Sequence, residues 1–322
     1  MNLRTYPRRL QVVGRKAYAV TLPKRWVLSH NLERGSIVYL VERADGSLVV
    51  VPETRLSEDV TRKAVLYTTT SELAEFERNI IALYEAGYDV IRVVVRPRVT
   101  NSFMRELREV LYRLSGLEVV EEGTDYIVLQ VVLDPSKLSF PRVLERMEVL
   151  VRSSVKDLEE YSSSGDKELL ILLRERDDEV DKYYFLLNRQ ASVIVRRPEL
   201  ASEMGLDSLL ELVPVLYYGK TLERMGDTLS QLAMYLLEVK APLDLELVKR
   251  MERALRLAIL TFRRGDTTAA RRLSRECSEF FSRPFGEVLS DPRLYLTGNF
   301  LSLCLDVIEA YVELAATKVP SV

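Results

Sequence analysis

The sequence predicts a multidomain α+β protein: an N-terminal β domain, a small α/β domain, and a C-terminal all-α tandem of three-helix bundles. Three observations carry that prediction. Short apolar–polar alternations dominate residues 1–53, strand and helix patterns take turns over 60–134, and from Phe140 onward apolar residues recur only at helical spacing. A chain of 322 residues is also too long for one small core, at roughly 100–200 residues per domain. The expected domains are 1–55, 60–136, 140–239 and 240–322.

In the first domain the alternation covers Arg9–Val13, Tyr18–Leu22, Ile37–Glu42 and Leu48–Val51. Ala44-Asp45-Gly46-Ser47 is a hairpin signal between the last two strands. Pro23 opens a short helix, Lys24 to Asn31, because a first helical position needs no N–H. So small a β unit buries too little surface to fold alone and is expected to dimerise.

The second domain begins with a strand over Ala64–Thr69, followed by a helix with Ser71 as N-cap and Gly87 as C-cap. Asp89–Val95 is a second strand and Asn101–Leu114 a second helix. Leu117–Glu121 and Tyr126–Val132 complete a small mixed sheet. No glycine-rich phosphate loop follows any strand, so this domain is expected to be a spacer or a dimerisation unit.

The helical half repeats itself. Val143, Met147, Val151, Val155 and Leu158 line one helix face before Gly165-Asp166. Leu243, Leu247, Met251, Leu255 and Ala258 do the same before Gly265-Asp266. Each copy is expected to contain three helices: 140–163, 166–192 and 199–238, then 243–264, 266–283 and 291–318.

The bulk charge of −2 excludes a uniformly basic protein, yet residues 1–34 carry eight Arg and Lys against Glu33 alone. Two cysteines are too few for a disulfide framework, and the single histidine, His30, leaves no room for a histidine triad or an imidazole cage. No apolar run reaches the ~20 residues that span a bilayer, and no signal-peptide core follows the charged start. The expected location is therefore the cytoplasm, and an integral membrane protein is not expected.

The chemistry lies in the first helical copy. Asp177 and Asp181 are four apart on its second helix, and Glu223 and Asp227 are four apart on its third. Each pair therefore stacks on one helix face. Like charges at that spacing oppose helix formation by a few tenths of a kcal/mol, and two facing pairs call for a cation. Oxygen-only ligands suit hard or borderline divalent ions. On the residues alone, a solvated acidic face balanced by nearby Arg and Lys fits equally well.

Leu222-Glu223-Arg224-Met225-Gly226-Asp227, followed by Leu229 and Leu232, is similar to the PhoU signature helix, and Asp177-Asp178-Glu179-Val180-Asp181 resembles the acidic box on that family's preceding helix. The resemblance implies that Asp177, Asp181, Glu223 and Asp227 hold a divalent or trivalent metal ion of the iron or zinc type. The second copy departs from the pattern: Cys277, Phe281 and Ser302 stand where three ligands would be, and only Asp306 keeps an acid. One metal site per chain is expected. Cys277 is expected to be a small buried residue.

At the front, Arg8-Arg9-Leu10-Gln11-Val12-Val13-Gly14 and Val20-Thr21-Leu22-Pro23-Lys24-Arg25 resemble the AbrB/SpoVT swapped-hairpin fold. That resemblance implies exchanged hairpins in a homodimer, with Arg8, Arg9, Arg15, Lys16, Lys24 and Arg25 facing DNA. Clustered Arg and Lys neutralise phosphates, and arginine can also read guanine edges. The order of parts resembles the archaeal branch of PhoU-related regulators. The function this implies is a DNA-binding regulator of phosphate uptake whose helical half senses phosphate status or a transporter partner. The alternative is an accessory protein of a phosphate ABC transporter or a signalling kinase, without DNA binding. A carboxylate-bridged metalloenzyme ranks last, because Glu-x-x-His pairs are missing from the sequence and no nucleophile or base is evident. The protein is not expected to be an enzyme.

Overall fold

The computed structural model describes residues 5–14, 17–42, 46–53, 61–134, 137–240 and 242–319. The chain forms two compact units, Met1–Thr61 and Arg62–Val322.

Among its described residues the first unit holds two antiparallel hairpins and a short helix between them. Strand β1 (Gln11–Val13) pairs with β2 (Ala17–Ala19), and β3 (Val38–Glu42) with β4 (Leu48–Pro52). Between them lies α1 (Lys24–Ser29), with Pro23 as its N-cap residue, one place before the position the sequence suggested. The turn at Ala44-Asp45 lies outside the described residues. Within the unit only Pro52 is buried among the described residues, while Leu10, Val12, Tyr18, Val20, Leu40 and Leu48 are exposed.

The second unit opens with a four-stranded mixed sheet. Its strands are β5 (Lys63–Thr69), β6 (Val90–Arg96), β7 (Leu117–Glu122) and β8 (Tyr126–Val131), in the order β5-β6-β8-β7. β5 and β6 are parallel, as their helical crossover requires, and the other pairs are antiparallel. Helices α2 (Leu73–Glu85) and α3 (Asn101–Tyr112) cover one face, burying Phe76, Ile80, Phe103 and Leu107 against Ile91, Val93, Ile127 and Leu129. The N-cap residue of α2 is Glu72 rather than Ser71, because the Ser71 hydroxyl is engaged with Thr69 Oγ1 at 3.0 Å. Thr100 caps α3 by accepting from the Phe103 N–H at 3.2 Å.

Six long helices follow: α4 (Phe140–Ser164), α5 (Glu168–Arg196), α6 (Leu212–Val239), α7 (Leu245–Arg264), α8 (Thr267–Phe281) and α10 (Pro292–Ala316), with the short α9 (Phe285–Ser290) before the last. The repeat is thus visible as two triplets, each turning after its first helix on a left-handed glycine, Gly165 (φ +72°) and Gly265 (φ +63°). The third helix of the first triplet starts at Leu212, not near 199. Pro198 and Gly205 (φ +83°) confine the intervening chain to short 3₁₀ turns. The triplets are not separate bundles. α4 packs on α7 and α6 on α10, so Phe140 through Ala310 contribute to one continuous core. Buried Glu148 joins the two: it accepts from Tyr218 Oη on α6 and from Arg263 Nε on α7, both at 2.8 Å.

The sheet and the helices of this unit meet along α2 and α5. The last carbonyls of a helix lack intrahelical donors, and α5 supplies them to α2 from two arginines. Arg189 donates to Tyr84 O at 3.1 Å and, just past the helix end, to Tyr88 O at 2.7 Å; Arg196 donates to Ala86 O at 2.8 Å and Gly87 O at 3.2 Å. The Arg189 guanidinium also holds Asp89 Oδ1 at 2.6 Å and is almost wholly buried. Removing one partner of a buried charged network leaves the others unpaired, at a cost of about 3 kcal/mol. Arg189→Ala is therefore expected to lower the urea midpoint of helical unfolding by a corresponding amount. A midpoint equal to wild type would show that the network contributes nothing.

Candidate metal centre

The site is built on the seam between α5 and α6. Its residues sit there because α6 carries glycine at two positions that press on α5. A β-carbon on Gly219 would come 2.2 Å from Leu187 Cδ2, and one on Gly226 would come 2.8 Å from Asp177 Oδ1. Glycine inside a helix costs about 1 kcal/mol relative to alanine, and the approach of the two helices accounts for that cost here. Gly226 also packs over Val180, the buried residue between the two aspartates.

This packing brings the carboxylates of Asp181, Glu223 and Asp227 together, with one oxygen from each lying within 4.8 Å of the others. Asp177 stands outside that group. It lies against Gly226 and accepts from the Ser230 hydroxyl, while its Oδ1 is buried without a hydrogen-bond partner. Glu223 Oε2 is likewise buried and unpartnered. Buried polar atoms are nearly always satisfied, so two orphaned carboxylate oxygens in one place require an explanation.

The electrostatics agree. Burial pushes the Asp177 carboxyl up to about 7, and the neighbouring Asp227 carboxylate adds to the effect. Burial and then Asp177 do the same to Asp181, also to about 7. Glu223 and Asp227 are raised too, chiefly by burial. Three cations temper the charge, and one of them, Arg224, lowers the proton affinity of Glu223 and Asp227. Lys220 Nζ donates to Glu223 Oε1 at 2.5 Å, and the Arg113 guanidinium at the end of α3 stands 3.9 Å from Asp181 while also bonding Glu77. Four carboxylates against these three cations still leave room for a positive ion. An all-oxygen donor set with unsatisfied buried oxygens fits a hard or borderline cation, with Asp181, Glu223 and Asp227 as the residues that would hold it.

Of these groups, Lys220 is foreseeable at i−3 from Glu223. Arg113 is not, since only the tertiary fold carries α3 to α5. Beside the box runs an open groove of about 720 Å³ lined in part by Glu85, Tyr184, Asn188, Arg196 and Lys220. Its polar groups are already engaged: Asn188 donates to Glu85 at 2.7 Å, and the Lys220 ammonium lies 4.8 Å from the Tyr184 ring centroid.

In the second triplet Cys277 lies wholly inside the core, where its S–H donates to Leu301 O at 3.6 Å. Burial pushes this thiol up to about 12, so it stays protonated. Ser302 and Phe281 are exposed and Asp306 is half-buried. In the N-terminal unit Arg8, Arg9, Lys24 and Arg25 are all exposed; Arg8 Nε donates to Thr21 O at 3.2 Å. Arg15 and Lys16 lie outside the described residues. No helix among the described residues is long and apolar enough to cross a membrane.

Comparison with known proteins agrees with this division. Residues 144–236, which span the carboxylate site, match the model of the PhoU domain. Residues 11–57 match the model described as antidote-toxin recognition MazE, bacterial antitoxin, in keeping with the AbrB-like front end. Among solved structures, PhoU from Pseudomonas aeruginosa is similar at 18% identity with a TM-score of 0.43, covering 56% of this chain and 96% of that one. No curated protein matches significantly.

Two outcomes are expected. Asp177 and Asp181, at about 7 in the folded protein against an ordinary 3.8, bind protons more tightly when folded. In the metal-free protein their contribution to stability is therefore full below the unfolded value and is lost as pH rises through 7. Melting in chelator should occur at a lower temperature at pH 8 than at pH 5.5. A midpoint that climbs toward pH 8 would contradict this account. Gly226→Ala, favourable for an isolated helix by about 1 kcal/mol, should instead displace Asp177 and reduce bound metal, measured by elemental analysis of the purified protein.

Proposed function

We propose, from the premise that residues 144–236 are a PhoU domain, that this protein is a homodimeric regulator of phosphate uptake. In this reading the helical part binds a metal cation of the iron or zinc type and responds to phosphate status or a transporter partner. The N-terminal unit binds DNA. The observation that carries the reading is the meeting of Asp181, Glu223 and Asp227 on the PhoU-matched helices, with buried oxygens left unsatisfied.

The N-terminal unit supports the dimer and the DNA contact. A unit whose described residues bury only Pro52 while exposing Leu10, Val12, Tyr18 and Leu40 has no core of its own. A second copy exchanging hairpins would cover that surface. Arg8, Arg9, Lys24 and Arg25, with Arg15 and Lys16 between them in sequence, would then present basic charge from both chains. Regulation rather than catalysis is the reading the site supports, since its residues are carboxylates with balancing cations and the only histidine, His30, sits in the N-terminal unit. Docking on a phosphate ABC transporter subunit or a signalling kinase, with no DNA contact, is the alternative.

A gel shift on the protein's own promoter region separates the two. The expected result is binding whose logarithm falls with log salt by about 0.9 for each phosphate contacted, and a shallower slope for Lys24→Ala/Arg25→Ala. Failure to shift at low salt would leave the accessory role. For the metal, Asp181→Ala should lose at least nine-tenths of the metal bound by wild type, and an unchanged content would remove Asp181 from the ligand set.

A further inference from the structure

The sheet of the second unit has a face that no helix among the described residues covers. Cross-strand register assigns its residues. Lys63 shares a row with Val90, Gln130 and Glu118, and Val65 shares the next with Arg92, Val128 and Glu121. Tyr67, Val94 and Tyr126 form the third row. Neighbours in a row point to the same side of a sheet, and the alternate residues Ile91, Val93, Ile127 and Leu129 are buried under α2 and α3 on the other side. A sheet face open to water is ordinarily polar. This one shows Val65 at 55% and Tyr67 at 68% exposure, with Val94, Val128 and Tyr126 half-buried beside them.

The charges on the face are sorted by strand. Lys63 and Arg92 lie on β5 and β6; Glu118 and Glu121 lie on β7 at the far edge. Lys63 and Glu118 have no ion-pair partner among the described residues, and three strand spacings, about 14 Å, separate them within the chain. Arg92 is stacked on the Tyr126 ring, 3.9 Å from its centroid, which removes that ring as a platform for a base. The glutamates would repel a phosphate backbone.

We infer that this uncovered face of β5-β6-β8-β7 is a self-complementary interface with a second copy of the chain, with Lys63 paired to the partner's Glu118. The geometry selects one symmetry axis. A two-fold running along the strands midway between β6 and β8 lays β5 over the partner's β7 and keeps every residue at its own height. Because Lys63 and Glu118 occupy the same row, that operation sets each opposite the other, twice per dimer. An axis across the strands would lay β5 on β5 and β7 on β7, bringing like charges together. Aligned sheets pack about 10 Å apart at about −30°, within reach of lysine and glutamate side chains meeting midway. Four strands of this length offer about 900 Å² over both copies counted as flat sheet, to which side-chain relief adds. That is close to the ~1,000 Å² threshold for a specific contact. The inference is independent of the metal and DNA readings.

Zero-length carbodiimide coupling of the unmodified full-length protein tests it, followed by isolation of the covalent dimer on a denaturing gel and peptide mapping. A Lys63–Glu118 amide is expected in the dimer; the intrachain separation forbids it within one chain. Glu118→Gln should reduce that link at least tenfold, and the exchanged pair Lys63→Glu/Glu118→Lys should restore it. Several outcomes would overturn the interface: no covalent dimer at micromolar protein, or a dimer linked only elsewhere. Coupling of Lys63 to the N-terminal unit would do so as well. So would protection of a Tyr67→Cys thiol by an added oligonucleotide but not by raised protein concentration.

Discussion

Close contact between α5 and α6 is the constraint on which the site depends. It forces Asp177, Asp181, Glu223 and Asp227 into a partly buried space where burial raises the proton affinity of all four, and neighbouring carboxylates add to the effect at Asp177, Asp181 and Glu223. Glycine at 219 and 226 permits that approach, while the buried Leu187 and Val180 hold the seam closed. The unfavourable charge is then managed from outside the seam, by Lys220 one turn away and by Arg113 from another layer of the molecule. Any rearrangement of α3 would change the field at Asp181.

The two helical triplets share a core but have diverged in chemistry. In the first, acids occupy the seam; in the second, Cys277 fills the corresponding space with a protonated thiol and Phe281 turns outward. Among the described residues, only the first triplet gathers three groups able to hold an ion. Apolar replacement relieves the like-charge cost, so the second triplet can serve packing alone, through α7 against α4 and α10 against α6.

Much of this architecture is legible in the sequence, for local reasons. The helices of both triplets follow from apolar spacing, the first of each ends at a glycine that adopts left-handed backbone, and the strands of the α/β domain begin and end within a residue or so of their apolar runs. The i,i+4 acids announce the site because a helix places them one above the other. The start of α6 was less legible, since the propensity of residues 199–211 gives way to Pro198 and Gly205. Arg113, Arg189 and Ser230 were illegible as site or interface residues: each acts on a group brought near only by folding. Asp177 sits on the predicted face yet turns to Ser230 and Gly226, a choice set by packing that spacing does not encode.

Helix α5 serves two cores. Phe185 packs with the sheet cluster while Leu186 and Leu187 belong to the helical one, and Arg189 closes the boundary between them. A helix used in this way couples the melting of both layers: opening the sheet side strips half its cover, and opening the bundle side withdraws the donors that finish α2. The described residues of the second unit are consequently expected to unfold as one cooperative unit, whose slowest-exchanging amides cluster along the middle of α5 rather than at the centre of either core.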